Sequence, residues 1–239
     1  MTDWIGTFSI EANEQEYMIV SMGANFSPPL LKRGKTRMKR LLITGFDPFG
    51  GEEINPSWEA VNLLPVEIGG YALTKLRIPV VFGEAAETVI RKAEELRPDV
   101  ILCIGQAGGR SAITPELVGI NLRHGSIPDN AGHQPQDEPI VADGVAAYFS
   151  PLPVRRMAEA IREAGIAAQV SYSAGAYVCN DVIYSLLSHF HGSATRVGFI
   201  HIPYVTEQGK SPSMDLGDMI RGLTAAIEHL DASQKLIGE

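Results

Sequence analysis

Ser173-Ala174-Gly175-Ala176-Tyr177-Val178-Cys179-Asn180 runs directly into the segment Asp181 to Phe190. Before it, Ala168 to Tyr172 alternates and carries enough β-branched and aromatic character to predict a strand. After it, Val182, Ile183, Leu186, Leu187 and Phe190 recur at helical spacing and predict a helix with one apolar face. A strand, a turn of small residues and a helix form the repeating unit of an α/β fold. Here that unit delivers Cys179 to the first turn of the helix. Unsatisfied N–H groups and the positive end of the macrodipole favour a thiolate there. Cysteines held in such places have lowered pKa values and are reactive. A cysteine at an apolar helix start is also an ordinary structural residue, so its chemistry depends on what else the chain brings to it.

The surrounding pattern repeats the unit. Leu41 to Thr44 reads as a short buried strand, closed by the turn-rich Gly45-Phe46-Asp47-Pro48-Phe49-Gly50-Gly51. Asn55-Pro56 then opens a helix, with Asn as cap and Pro in the first turn. Tyr71 to Val81 has strand character, and Ala86, Val89, Ile90, Ala93 and Leu96 mark an amphipathic helix stopped at Pro98. Val100 to Ile104 is a continuous apolar run, as expected of a strand covered on both faces. Glu116 to Leu122 is a further candidate strand. Val154, Met157, Ala158 and Ile161 mark a helix, Val197 to Ile202 a strand, and Leu216, Met219, Ile220, Leu223 and Ile227 a last helix. The alternation predicts a single α/β domain, with a mostly parallel or mixed central sheet and helices on both faces. Residues 1–37 show no clear periodicity and lie outside this pattern. They are read as a flexible N-terminal extension or a mis-assigned start, with the domain occupying residues 38–239.

Composition narrows the function. The 239 residues carry a net charge of −8, which argues against a nucleic-acid partner, since phosphate binding needs a concentrated basic surface. No apolar run approaches the ~18–20 residues that span a bilayer, and the N-terminus lacks a secretory pattern. Only two cysteines occur, Cys103 and Cys179, as expected of free thiols in a reducing cytoplasm.

In open α/β sheets, sites form beyond the carboxyl ends of the strands. The loop after Thr44, the loop after Ile104, the turn before Cys179 and the strand end at His201 should therefore converge. His201 is a polar residue in the apolar run Phe199 to Pro203, so burying it requires a partner. It is either half of a thiolate–imidazolium pair, with a third group orienting the ring, or a hydrogen-bonded core histidine. Gly105 to Arg110 follows a strand but lacks the spacing of a dinucleotide loop. A long polar stretch, Arg123 to Asp143, has the length of a functional or disordered loop. Its His124, Asp129, His133, Asp137 and Asp143 match no standard metal-ligand spacing, and no metal or other cofactor is expected.

Several stretches taken together resemble pyroglutamyl peptidase I, also called pyrrolidone-carboxylate peptidase. They are GFDPFGG (Gly45 to Gly51) with Asn55-Pro56-Ser57, GQAGGR (Gly105 to Arg110) with Ile113 to Glu116, IPDN (Ile127 to Asn130), SAGAYVCN (Ser173 to Asn180) and FIHIP (Phe199 to Pro203). They stand in the family's order and at similar spacing, from about Lys39 to beyond Pro203. The resemblance implies a cytoplasmic cysteine peptidase that removes N-terminal pyroglutamate without metal or cofactor. It implies an α/β/α sandwich assembled as a homodimer or homotetramer. It also implies Cys179 as the thiolate nucleophile, His201 as its imidazolium partner and Glu116 as the third group. Phe46 and Phe49 would enclose the pyrrolidone ring, with Asn55, Gln106 and Val178 lining the pocket.

Two positions depart from the family pattern. Leu117 stands where the family carries Arg in Glu-Arg-Val, and Ser126 stands where it carries Arg before IPDN. Arg110 and Arg123 are the candidates to supply the missing charge. Two alternatives follow: a homologue with weakened or shifted activity, and a non-catalytic protein that binds a lactam or peptide in the Phe46/Phe49 slot.

Overall fold

In the computed structural model the described residues are Ile10–Ala12, Tyr17–Val20, Leu31–Lys32 and 37–232. The chain divides into two compact units, Met1–Met38 and Lys39–Glu239. In the first, β1 (Ile10–Ala12), β2 (Tyr17–Val20) and β3 (Leu31–Lys32) form an antiparallel meander. The reading of residues 1–37 as an extension or mis-assigned start otherwise lies outside the described residues.

The second unit begins with β4 (Lys39–Phe46), α1 (Pro56–Leu63), β5 (Glu67–Ile68) and β6 (Tyr71–Ile78). It continues through α2 (Glu84–Leu96), β7 (Val100–Gln106), β8 (Thr114–Pro115), β9 (Val118–Ile120) and β10 (Ala147–Phe149). It closes with α3 (Val154–Glu163), α4 (Val178–His189), β11 (Arg196–Ile202), β12 (Tyr204–Val205), β13 (Ser213–Met214) and α5 (Leu216–Glu228).

Six strands make the main sheet in the order β5-β6-β4-β7-β11-β8. The inner four are parallel, and the two-residue strands β5 and β8 close the edges antiparallel. The sheet is therefore mixed. Side-chain alternation assigns its two faces. Leu41, Ile43, Leu102, Ile104, Ile200 and Ile202 pack with residues of α1, α3 and α5. Leu42, Ile101, Cys103, Val197 and Phe199 pack with α2 and α4 on the other side. The result is a three-layer α/β/α sandwich. Because β6 lies on one side of β4 and β7 on the other, the chain reverses direction across the sheet between β4 and β7. The carboxyl ends of those strands border the crevice where such folds place ligands.

One expected strand is not a strand, and another is shorter than expected. Ala168 to Tyr172 makes only isolated bridges, Ile113 with Ala168 and Glu116 with Ser171. Glu116 to Leu122 is broken. Glu116 lies between β8, on the edge of the main sheet, and β9, which pairs with β10 in a separate small sheet. The chain changes sheets at Glu116, and its carboxylate is thereby turned inward to complete burial. Alternation alone does not reveal a crossing of this kind, because both halves keep a strand-like pattern.

Candidate active site

Cys179 is the second residue of α4, whose N-cap is Tyr177, with no side-chain capping bond. The Tyr177 carbonyl accepts from the N–H groups of Asn180 and Asp181, at 3.0 and 3.1 Å. Two buried side chains anchor this helix start. The Asn180 amide donates to the Ile120 and Leu122 carbonyls and accepts from the Ile120 N–H, at 2.9, 2.9 and 3.0 Å. The Asp181 carboxylate accepts from the Gly83 N–H at 2.7 Å and pairs with Arg123.

The thiol reaches the sheet where β7 and β11 run side by side, His201 opposite Gly105. A Cβ on Gly105 would lie 3.0 Å from the Cys179 sulfur and 2.7 Å from the Phe199 ring. A side chain at position 105 would therefore occupy the space the sulfur uses. Phe199 and His201 share the α4 face of β11, their rings 4.8 Å apart. His201 Nδ1 lies 2.7 Å from Glu116 Oε1, with both residues buried. The same carboxylate oxygen accepts from Arg110 Nη1 at 2.7 Å. A carboxylate only accepts, so the ring proton sits on Nδ1 and Nε2 carries the lone pair.

Burial pulls the His201 pKa down, against the hydrogen bond and charge of Glu116, and the net direction is below 6.5. Burial alone would raise Glu116, but His201, Ser171 and Arg110 outweigh it and hold the carboxyl below its usual range. Burial also pushes the Cys179 thiol up to about 12, reinforced by the Glu116 and Cys103 charges and opposed by Arg110. Both shifts favour the neutral forms, thiol and imidazole. The helix start alone predicts the opposite shift for the thiol. Removal of water and the nearby Glu116 carboxylate push the other way.

Phe46, Phe49, Asn55, Gln106, Val178, Cys179 and His201 all line one cavity of about 260 Å³. Glu116 stands behind His201, outside the lining. The walls are largely apolar, with Phe46 tilted against Phe199 at 6.2 Å and Phe49 against Tyr177 at 6.2 Å. Asn55 is tied up locally. Its Oδ1 accepts from the N–H and hydroxyl of Ser57, at 3.1 and 2.8 Å, and its Nδ2 donates to the Asp47 carbonyl at 2.8 Å. It therefore caps α1 and braces the loop that carries Phe49.

Arg110 and Tyr177 also line the cavity; sequence reasoning weighed Arg110 only as a replacement charge and did not select Tyr177. Tyr177 was readable as the residue two before Cys179. Of the two arginines weighed as replacement charges, Arg110 is at the site, while Arg123 is paired at the start of α4. Leu117 is buried and Ser126 is exposed. The long loop is folded around Asp129, whose carboxylate accepts from the N–H groups of Phe82, Ala131 and His133 at 2.8–2.9 Å. The same loop reaches the cavity rim, where the Pro128 carbonyl accepts from the Tyr177 hydroxyl at 3.0 Å.

A thiol at a helix start, an imidazole in the next strand and an apolar cavity at the carboxyl edge of an α/β/α sheet define the class of α/β cysteine hydrolases. The family model described as pyroglutamyl peptidase matches residues 39–233, and the chain belongs to that family. It is 54% identical over 195 residues to a pyrrolidone-carboxylate peptidase of Levilactobacillus brevis, covering 79% of this chain and 95% of that one. It is 51% identical over 194 residues to the one of Lactobacillus helveticus, covering 79% and 97%. The crystal structure of Bacillus amyloliquefaciens pyroglutamyl peptidase I superposes with a TM-score of 0.78 at 44% identity, covering 82% of this chain and 98% of that one. Pyrrolidone carboxyl peptidase from Thermococcus litoralis gives 0.77 at 37% identity, covering 81% and 93%.

Proposed function

We propose that this chain is a cysteine exopeptidase that removes an N-terminal pyroglutamyl residue from peptides, using Cys179, His201 and Glu116. The observation that carries this reading is the cavity that holds both Cys179 and His201, with His201 bonded through Nδ1 to a buried carboxylate. Family membership supports the substrate.

The geometry supports the following course. The Cys179 sulfur attacks the pyroglutamyl carbonyl carbon as its proton passes to His201 Nε2. The neutral imidazole is in the correct state to accept it, and Glu116 holds the imidazolium that forms, as the acid does in a Ser-His-Asp triad. The N–H groups of Val178 and Cys179, at the start of α4, are the natural donors to the oxyanion. One such donor typically contributes ~10²–10³ in rate. The C–N bond then breaks and the departing amine takes the proton from Nε2. Water, giving a proton to His201, attacks the thioester; the sulfur leaves and recovers the proton, and pyroglutamate is released.

Phe46, Phe49 and Val178 provide the flat apolar slot for the lactam, and Gln106 a polar contact. We further read the enzyme as a cytoplasmic homodimer or homotetramer. Free Cys103 and Cys179 support the compartment, and no helix among the described residues is long and apolar enough to cross a membrane. Acid-quenching the protein during turnover of a pyroglutamyl peptide should leave a pyroglutamyl thioester on the peptide that contains Cys179. Mass spectra that place the acyl group on another residue would overturn the assignment of the nucleophile.

A further inference from the structure

Three loops meet beside the cavity through one side-chain amide. Gln208 ends a 3-10 turn, Thr206–Gln208, after β12. Its Oε1 accepts from the Val205 backbone N–H at 3.0 Å. Its Nε2 lies 3.1 Å from Glu52 Oε2, in the loop after β4, and 3.0 Å from Gln106 Oε1, at the end of β7. The other carboxylate oxygen of Glu52 is paired with Lys210, whose ammonium lies 5.0 Å from the centre of the Tyr204 ring.

Both ends of this chain of hydrogen bonds have fixed polarity. A backbone N–H can only donate, so it must meet the oxygen of the Gln208 amide. A carboxylate can only accept, so it must meet the nitrogen. With Gln208 oriented from both sides, its second N–H is directed at Gln106 and requires an acceptor there. The Gln106 amide is thereby set with Oε1 toward Gln208 and Nε2 free. Among the described residues, Gln106 Nε2 has no protein acceptor and is not a buried unpartnered atom, and Gln106 lines the cavity.

We propose that Gln208 is a positioning residue that fixes the polarity of the Gln106 amide. The cavity then meets a bound ring with an N–H donor and selects rings that carry a carbonyl acceptor. Identifying that ring as the pyroglutamyl lactam rests on the function proposed above; the amide orientation itself does not. A pyrrolidine without the carbonyl leaves the donor unpaired in a largely apolar slot, and a site built to hydrogen-bond a group rejects the analogue that lacks it. Neither Glu52 nor Gln208 stands out in the sequence, because 156 residues separate one from the other.

The test exchanges carboxylate and amide. In the double variant Glu52→Gln/Gln208→Glu, charge and size are conserved but an acceptor faces Gln106, which must turn its nitrogen away from the cavity. Gln208→Leu removes the constraint and leaves the Gln106 amide free to choose. Ring binding is read without turnover, from the concentration of 2-pyrrolidinone that protects Cys179 from iodoacetamide. KM and kcat on a pyroglutamyl-aminocoumarin substrate are measured alongside.

The loss of one hydrogen bond of about 1–1.5 kcal/mol corresponds to roughly a tenfold change. The exchange should therefore weaken protection at least about tenfold and raise KM more than it lowers kcat. Gln208→Leu should fall between it and wild type, with melting temperatures close to wild type in both. A purely structural role for Gln208 gives the opposite order, with Gln208→Leu the more damaging and the isosteric exchange mild; that order, or unchanged protection in both variants, overturns the proposal. Wild-type protein that is protected by the lactam but hydrolyses no pyroglutamyl substrate would defeat the peptidase reading and leave the amide assignment standing.

Discussion

At the residue scale, the proposed chemistry depends on one carboxylate. Glu116 takes bonds from His201 and Arg110 on the same oxygen. Glu116→Gln keeps the shape and can keep its amide oxygen toward both donors, but it removes the negative charge that stabilises the imidazolium. Steady-state kinetics should show kcat reduced roughly 10²–10⁴-fold with KM little changed; a reduction below threefold would remove Glu116 from the mechanism. The pH profile follows from the same pair. His201 must be neutral to accept the thiol proton, and its pKa is lowered below 6.5. The acid limb of kcat/KM should therefore lie below pH 6.5, with most activity retained at that pH. Stability has the same sign. The unfolded chain protonates His201 more readily than the folded one, so this contribution is complete above pH 6.5 and is lost as pH falls toward the folded value. An acid limb above 6.5 would contradict the burial argument. Pattern alone singled out Cys179 and His201, the one at a helix start and the other a polar residue in a buried strand, but left a structural role open for both. Glu116 was legible only through the family resemblance, and Gln208 not at all. Their partners lie 85 and 102 residues away, and no local pattern encodes such contacts.

At the scale of elements, the site depends on how closely α4 lies on the sheet. Gly105 is what permits the approach. In Gly105→Ala the new Cβ would meet the Phe199 ring at 2.7 Å and the Cys179 sulfur at 3.0 Å. Overpacking of this kind costs about 1–3 kcal/mol. Calorimetry should show a melting point lower by several degrees, and the rate of Cys179 alkylation should change because the sulfur is displaced. Wild-type melting and reactivity in that variant would mean that the contact is looser than described. The sequence made the strands and helices around this contact readable, including the α4 face and the strand bearing His201. It hid two boundaries. Ala168 to Tyr172 and Glu116 to Leu122 alternate as strands do, yet their hydrogen bonds go to single bridges and to a second small sheet. Alternation reports which face is buried, not which neighbour is paired.

At the scale of the molecule, the family match begins at residue 39, and the second compact unit begins at Lys39. That unit contains the main sheet, both helix layers and every residue of the proposed site. A chain starting at Met38 should fold cooperatively and retain kcat/KM within about threefold of the full chain. A truncated chain that is insoluble or inactive would show that the first 37 residues take part in the fold or the site. The central claim is that Cys179 performs acyl transfer on a pyroglutamyl substrate. Hydrolysis of pyroglutamyl-aminocoumarin by wild type and by Cys179→Ala tests it most directly. Release of the fluorophore by wild type, abolished in the variant while the variant stays folded, is the expected result. No release by wild type, or release that survives the substitution, would contradict it.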